Sequence, residues 1–194
     1  MSLSKWRIRL QQHVSCSILS EESTEVVDCG CGIGYGVALA SGSRGRFVVG
    51  VDASGIALQH AKNRVAQMGV QNATSLIRCD VVSLPFRPDS FDAAFCVLVI
   101  DAFQSIEHVL DEISGVVKHG GQLIIADLDP ATLSMATVGK VVQYLDKRSG
   151  HPYTLHPAAE VGGALSQLGF APITKQRRHF GISPPIYVVA AKKT

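Results

Sequence analysis

Apolar runs that are typical of buried strands alternate with helical patterns along most of this chain. The first five runs cover residues 25–29, 46–52, 74–80, 91–99 and 122–126. Several are continuous in apolar residues, as expected for strands that are covered on both faces. Strands that alternate with helices form parallel sheets, because each helix returns the chain to the edge where the next strand starts. The pattern therefore predicts an α/β fold.

The C-terminal part departs from this alternation. Two more strands are predicted at residues 170–178 and 186–191, and only a short turn rich in Gly, Ser and Pro separates them. Consecutive strands joined in this way pair antiparallel. We predict a three-layer Rossmann-like sandwich with a mostly parallel seven-stranded sheet and an antiparallel last strand. A chain of 194 residues suits a single domain, residues 1–194.

Two helical patterns lie outside the alternation. One falls within residues 1–24, and the other falls in an insertion at residues 131–156. The apolar face of the first is formed by Trp6, Leu10, Val14 and Ile18. Ligands of open α/β sheets bind beyond the carboxyl ends of the strands, so both segments are candidate lids over that edge.

Composition narrows the classes of function. Hydrophobic residues make up 46% and charged residues 18% of the chain, which excludes a disordered protein. The formal net charge is only +2, so we predict neither a nucleic-acid nor a membrane partner. The basic run at residues 175–179 is predicted to be the solvated face of a late strand. The five cysteines are odd in number and have no C-x-x-C spacing. This pattern predicts that they are buried free thiols of a cytoplasmic protein and that they bind no metal.

The most informative stretch joins the first strand to the helix that follows. Asp28 is followed by glycines at positions 30, 32, 34 and 36. Glycine permits a sharp turn and lets a ligand lie against backbone N–H groups at the start of a helix. The dinucleotide pattern G-x-G-x-x-G fails in both registers, because its last position falls on Tyr35 or Val37, and this disfavours an NAD-dependent oxidoreductase. A carboxylate at Asp28 suits a ligand with an ammonium and a sulfonium group.

This stretch resembles the first motif of the class I S-adenosylmethionine-dependent methyltransferases, apolar-apolar-Asp-x-Gly-x-Gly-x-Gly, which matches residues 26–34. Other family motifs follow in order. Asp52 and Asp80 end the second and third strands, and Ser-Phe-Asp-Ala-Ala opens the fourth at residues 90–94. Residues 117–121 resemble the family's entry to the fifth strand, with His119 in place of a proline. The resemblance extends from residue 25 to the C-terminus.

The resemblance implies a site for S-adenosylmethionine. The glycines would pass under its methionine part, and Asp28 would hold its amino group or order the loop. Asp52 would accept both ribose hydroxyls, and Asp80 would read the adenine. The implied cofactor-binding residues are Asp28, Gly30, Cys31, Gly32, Gly34, Asp52, Ala53, Asp80, Val81 and Val97. A structural role stays open for the acids, because a carboxylate at the end of a strand can cap the next helix.

Catalytic residues are not assigned by the sequence. The methyl group on a sulfonium is already electrophilic, so the main task is to align the acceptor and exclude water. An acceptor that must lose a proton would need a general base. The candidates are His151, His156, Tyr153 and Asp101, followed by Asp127, Asp129 and Tyr144. Asp101 with Asp127 or Asp129 is also an alternative magnesium site.

We predict direct in-line methyl transfer to a small-molecule acceptor. The motif Asn-Pro-Pro-Tyr, which resembles the signature of enzymes that methylate amino groups of DNA bases or glutamine, does not follow the fourth strand. The chain also contains no Pro-Cys nucleophile of the cytosine C5 type. These absences disfavour nucleic-acid bases as acceptors. The alternative is a catalytically silent S-adenosylmethionine-binding partner or sensor, because such a protein would keep the same glycines and acids. The acceptor atom and the oligomeric state are not specified by the sequence.

Overall fold

A computed structural model describes residues 3–42, 45–132, 152–179 and 185–194, and positions 134, 137, 138, 140 and 143. Its strands are β1 Glu25–Cys29, β2 Phe47–Asp52, β3 Thr74–Arg78, β4 Phe91–Val97, β5 Val117–Leu128, β6 Phe170–Arg178 and β7 Ile186–Lys193. They form one seven-stranded sheet in the order β3-β2-β1-β4-β5-β7-β6. Strands β1 to β5 are parallel, and β7 is antiparallel to both neighbours. The predicted architecture is confirmed.

The described helices are α1 Leu3–His13, α2 Tyr35–Ser41, α3 Gly55–Gln67, α4 Glu107–Val116 and α5 Ala158–Gln167. A five-residue π-helix, Val14–Ile18, continues α1, and single 3₁₀ turns occur at Gln71–Ala73, Ile100–Ala102 and Pro130–Thr132. The Ser54 hydroxyl caps α3 by accepting the Ala57 N–H, as its sequence position before an apolar stripe predicts. In the described part of the chain, no helix combines the length and apolarity that crossing a membrane requires. The cytoplasmic location stays a prediction.

The sheet has a hydrophobic layer on each face, because successive side chains of a strand point in opposite directions. On one face, Val27 belongs to a buried cluster with residues of α4 and α5, such as Leu110 and Leu165. On the other, Val26 belongs to a cluster with residues of α1, α2 and α3. The three layers follow from strands that are apolar on both sides.

Several boundaries differ from the sequence-based expectation. Strand β4 ends at Val97 because Leu98 adopts a left-handed backbone conformation with φ of 61°. Strand β5 begins at Val117, well before residue 122, because Val117 pairs with Phe91 ahead of an irregularity in the register. The glycine pair at positions 120–121, which precedes the strand predicted at residues 122–126, lies inside β5. The expectation of buried thiols is wrong for Cys16, which is exposed, and for Cys79, which is only half-buried.

The N-terminal segment packs into the core on one face. Leu10 and Val14 are fully buried, and Trp6 and Leu19 are nearly so. All four belong to the cluster that covers the α1 side of the sheet. Whether this segment moves as a lid stays a prediction. The candidate lid at residues 131–156 lies mostly outside the described residues, as do His151 and Tyr144.

Candidate functional site

A cavity of about 640 Å³ opens at the carboxyl edge of the sheet. Strands β1 and β4 are neighbours, and the chain goes on from β1 to β2 on one side and from β4 to β5 on the other. The cavity lies between the ends of these two strands, which is the usual ligand position in open α/β sheets. Its lining comprises Arg7, Ile8, Gln11, Gly30, Cys31, Gly32, Ile33, Tyr35, Asp52, Ala53, Ser54, Asp80, Val81, Val97, Leu98, Val99, Ala102, Phe103 and Tyr153. Eight of the ten predicted cofactor-binding residues are among them; Asp28 and Gly34 are not.

The glycine loop is shaped by close approaches that leave no room for side chains. A Cβ on Gly30 would lie 2.4 Å from a Val99 methyl, and one on Gly34 would lie 2.8 Å from the Ala61 Cα. Both glycines also have left-handed backbone angles, φ of 75° and 79°, which favour glycine. Around Gly32, by contrast, no atom of the described residues other than its chain neighbours lies within 4 Å of the same position. The loop therefore packs tightly against Val99 and Ala61 and leaves space at Gly32.

Asp52 connects this loop to the turn after β2. Its Oδ2 accepts the Gly32 N–H at 2.8 Å, and its Oδ1 accepts the Ser54 N–H at 2.9 Å. The loop is held further by the Val51 carbonyl, which accepts the N–H groups of Gly30 and Cys31 at 2.9 and 2.8 Å. Each carboxylate oxygen of Asp52 retains a second acceptor position. The carboxylate therefore fixes the loop and can still accept a ligand hydroxyl.

A second carboxylate, Asp80, lies on the same side of the cavity. It is exposed, and its Oδ1 accepts the Val82 N–H at 3.2 Å. Buried Val81 lines the cavity beside it. Arg78, at the end of β3, donates to the Ala53 carbonyl at 3.1 Å and so connects the two turns that carry these acids.

Asp28 lies behind the glycine loop and is fully buried. Burial, and then the charge of Asp52, raise the pKa of Asp28 well above its ordinary value, which favours the neutral carboxyl. The backbone N–H of Val37 lowers this pKa, but neither carboxyl oxygen has a hydrogen-bond partner among the described residues. Burial also raises the pKa of the Cys31 thiol, so Cys31 lines the cavity as an apolar group.

Of the candidate catalytic residues, Tyr153 lines the cavity. Asp101 and His156 are buried beside it without lining it. The His156 ring has Nδ1 at 2.8 Å from Glu160 Oε1 and Nε2 at 2.8 Å from the carbonyl oxygen of Phe103. The imidazole thus supports the backbone of a cavity residue. His151 lies outside the described residues.

Asp101 and Asp127 form a buried pair at the ends of neighbouring strands. The Asp101 N–H donates to Asp127 Oδ2 at 3.4 Å, and Asp101 Oδ1 accepts the His156 N–H at 3.3 Å. Burial, followed by the charge of Asp127, raises the pKa of Asp101 to about 11. Asp129 instead pairs with Arg177 at 2.5 Å. Among the described residues, no three His, Cys, Asp or Glu side chains are grouped as metal ligands.

Sequence reasoning missed the cavity wall contributed by α1. Arg7, Ile8 and Gln11 face the cavity, and their helical spacing is the only signal for a shared face. It also missed Arg64 of α3, whose guanidinium lies 3.4 Å from the Tyr35 ring centroid and donates to the Ile33 carbonyl at 2.9 Å. This contact holds the glycine loop from outside.

A family model described as a methyltransferase domain matches residues 27–125, the stretch from β1 through most of β5 that supplies the glycine loop and both cavity acids. The chain belongs to the class I S-adenosylmethionine-dependent methyltransferases. The match excludes α1 and Tyr153. The family model therefore covers the floor of the cavity and leaves part of its wall outside.

Two curated relatives illustrate the range of the family. A sterol 4-C-methyltransferase of Caenorhabditis elegans is 27% identical over 161 residues, which cover 81% of this chain and 48% of the relative. Methyltransferase GfsG of Streptomyces halstedii is 32% identical over 104 residues, which cover 54% of this chain and 37% of the relative. This methyltransferase chain thus spans less than half the length of either relative.

Solved structures confirm the fold over nearly the whole chain. Geranyl diphosphate C-methyltransferase from Streptomyces coelicolor A3(2) matches with a TM-score of 0.78 and 14% identity, covering 99% of this chain and 81% of the other. Magnesium protoporphyrin IX methyltransferase from Synechocystis PCC 6803 matches with a TM-score of 0.77 and 17% identity, covering 100% and 89%. At these identities the similarity shows the fold alone.

Proposed function

We propose that this methyltransferase binds S-adenosylmethionine in the cavity and transfers the methyl group to a small, largely apolar acceptor by direct in-line displacement. The observation that carries this proposal is that the cavity lining has a charged part and an apolar part. Asp52 and Asp80 supply charge on one side, while Leu98, Val99 and Phe103 supply apolar surface on the other. The cavity volume of about 640 Å³ lies within the range of small-molecule sites.

The residues present fit the cofactor. The open space over Gly32 leaves a place for the methionine part, and Asp52 has spare acceptor positions for the ribose hydroxyls. Asp80 and Val81, which also line the cavity, would contact the adenine. When bound, S-adenosylmethionine supplies an electrophilic methyl group. The chain's own residues hold it, orient the acceptor opposite the bond to sulfur and exclude water.

The acceptor side is built on the residues after β4. Leu98 has a left-handed φ of 61°, which is uncommon for a side chain of this kind and often marks a functional site. Its N–H donates to the Ala126 carbonyl at 2.8 Å, which fixes this conformation. We propose that Tyr153 contacts the acceptor and, for an acceptor that must lose a proton, receives or relays it. Relatives named for sterols support an apolar acceptor.

The function is tested in two steps on one preparation. Calorimetry is expected to show binding of S-adenosylhomocysteine and no comparable binding of NAD. Labelled S-adenosylmethionine is then offered with sterols, isoprenoids, polyketides and small polar hydroxyl or amine compounds, and transfer is expected to the apolar members. Tighter binding of NAD would overturn the cofactor assignment. Cofactor binding without transfer to any acceptor would favour the silent partner or sensor.

Arg7 yields a sharper prediction about the methionine end. Of the described residues that line the cavity, Arg7 alone carries a positive charge, and it is exposed. We propose that it binds the cofactor's carboxylate. Arg7→Gln is expected to weaken S-adenosylhomocysteine binding by roughly 10-fold to 150-fold, the equivalent of one charged hydrogen bond. Binding of 5′-methylthioadenosine, which lacks the carboxylate, is expected to stay unchanged.

The matched control for this measurement is Arg9→Gln. Arg9 is exposed on the same helix but does not line the cavity, so both affinities should remain at the level of the unmodified chain. An equal loss of affinity for both ligands in Arg7→Gln would show that Arg7 acts through the fold. No loss for either ligand would remove Arg7 from the cofactor site.

A further inference from the structure

The end of the N-terminal helix has an unusual hydrogen-bond pattern. Helix α1 passes into the π-helix Val14–Ile18, where the Leu19 N–H donates to the Val14 carbonyl at 3.0 Å. The last carbonyls of any helix have no partner within the helix itself. Here two buried side chains from the sheet side of the protein bind the Ser15 and Ile18 carbonyls of this helix and the backbone that follows it.

The first is Arg46, which immediately precedes β2 and is only 2% exposed. Its guanidinium donates to the carbonyls of Ser23 at 2.9 Å, Ser20 at 2.6 Å and Ser15 at 3.3 Å. A fourth contact reaches the Leu19 carbonyl at 3.5 Å. A positive charge is favourable at the carboxyl end of a helix. Its burial is costly unless these donors stay satisfied.

The second is Gln122 of β5, which is 7% exposed. Its Nε2 donates to the Ile18 carbonyl at 3.1 Å, and its Oε1 accepts the Ser20 N–H at 2.9 Å. Both the nitrogen and the oxygen of the Gln122 amide therefore bind the backbone of the short segment that contains Ile18 and Ser20. We call Arg46 and Gln122 the clamp.

The clamp and the cavity lie at opposite edges of the sheet. Arg46 immediately precedes β2, and Gln122 pairs with Ala93 near the start of the parallel strand β4, whereas the cavity opens at the carboxyl ends. Helix α1 connects the two edges, because Arg7, Ile8 and Gln11 line the cavity while the π-helix meets the clamp. At 1.5 Å per residue, Arg7 lies about 12 Å along the helix from Ser15. A small shift at the clamped end is therefore carried to the cavity wall.

We propose that Arg46 and Gln122 are positioning residues for the cofactor site: they fix the end of α1 and thereby hold Arg7, Ile8 and Gln11 against the cavity. The apolar face of α1 supplies burial, which is not directional. The clamp supplies the directional contacts that set how far along and around its axis the helix lies. This inference rests on the proposed binding of S-adenosylmethionine in the cavity.

The test uses Gln122→Met, which keeps the side-chain length, and Arg46→Lys, which keeps the charge. Each is expected to weaken S-adenosylhomocysteine binding by about tenfold, because the helix loses one or two directional hydrogen bonds. Amide hydrogen exchange of residues 3–13, measured without ligand, is expected to accelerate in both variants. In an Arg7→Ala/Gln11→Ala background, which removes the polar side chains of the wall, the effect of Gln122→Met on affinity should disappear.

Asp92→Asn is the control for stability alone. Asp92 Oδ2 accepts the N–H groups of Thr24 and Glu25 at 3.0 and 2.8 Å, and so holds the chain after the helix rather than the helix itself. This variant is expected to lower the melting temperature and leave the ligand affinity unchanged. The proposal is overturned if Gln122→Met keeps both the affinity and the exchange protection, or if Asp92→Asn lowers the affinity equally. Failure of the unmodified chain to bind the ligand would contradict the proposed function, while hydrogen exchange would still test the clamp.

Discussion

Asp52→Ala is expected to weaken S-adenosylhomocysteine binding by at least 10-fold, and by more than 100-fold if two charged hydrogen bonds at roughly 1.5–3 kcal/mol each are lost. The first reason is the loss of the acceptor proposed for the ribose hydroxyls. The second is structural, because the same carboxylate holds the N–H groups of Gly32 and Ser54. The domain is expected to remain folded, since Asp52 is only half-buried and lies at the end of β2.

Asp52→Asn tests the two carboxylate oxygens themselves, because it keeps the size of the side chain and replaces one oxygen with an NH₂ group. An asparagine amide has one oxygen and one NH₂ group, so it can accept from Gly32 or from Ser54, but not from both. We therefore expect this near-isosteric variant to lose most of the affinity as well. Calorimetry gives the dissociation constant, and a melting curve by circular dichroism reports folding.

The matched control is Asp111→Ala, which removes an exposed acid of α4 that does not line the cavity. Its dissociation constant should equal that of the unmodified chain. If Asp52→Ala bound the ligand with unchanged affinity, Asp52 would serve only to cap and brace the turn.

The fold could be predicted from the sequence because its main signals are local. Val26 and Val27 are adjacent, and both are fully buried on opposite faces of the sheet, which a continuous apolar run indicates directly. The floor of the cavity was predictable for a related reason. Strand ends carry the glycines and acids, and parallel strands bring their carboxyl ends to one edge.

The rest depends on contacts between residues distant in sequence. Arg46 lies in a stretch that predicts a strand, yet its partners are backbone carbonyls 23 to 31 residues earlier, and no side-chain pattern marks a backbone carbonyl. Asp28 has the position in the motif expected of a ligand contact, but it packs behind the loop. Phe103 follows a short 3₁₀ turn that has no periodic signal.

Deleting residues 1–19 is expected to unfold the chain or to abolish cofactor binding. The hypothesis that this segment is a lid predicts a different result. Under that hypothesis the deletion abolishes methyl transfer, while the cofactor affinity changes by less than about tenfold, or 1.4 kcal/mol. The structure changes the expectation because four large apolar side chains, Trp6, Leu10, Val14 and Leu19, are buried in the core. At roughly 1.5–3 kcal/mol each, their loss is comparable with the whole stability of a typical domain, about 5–15 kcal/mol. The deletion also leaves Arg46 and Gln122 buried without several of their partners, which adds to the cost.

Leu10→Ala makes this prediction measurable where the deletion gives no folded protein. Leu10 is fully buried and does not line the cavity, so the variant is expected to lose about 2–5 kcal/mol of stability. Denaturant melts give the free energy of unfolding, and calorimetry below the transition gives the affinity, which should fall less than in Arg7→Gln. A truncated chain that melts near the full-length protein and binds S-adenosylhomocysteine with similar affinity would contradict the prediction. The helix would then act as a lid whose burial contributes little to the folded domain.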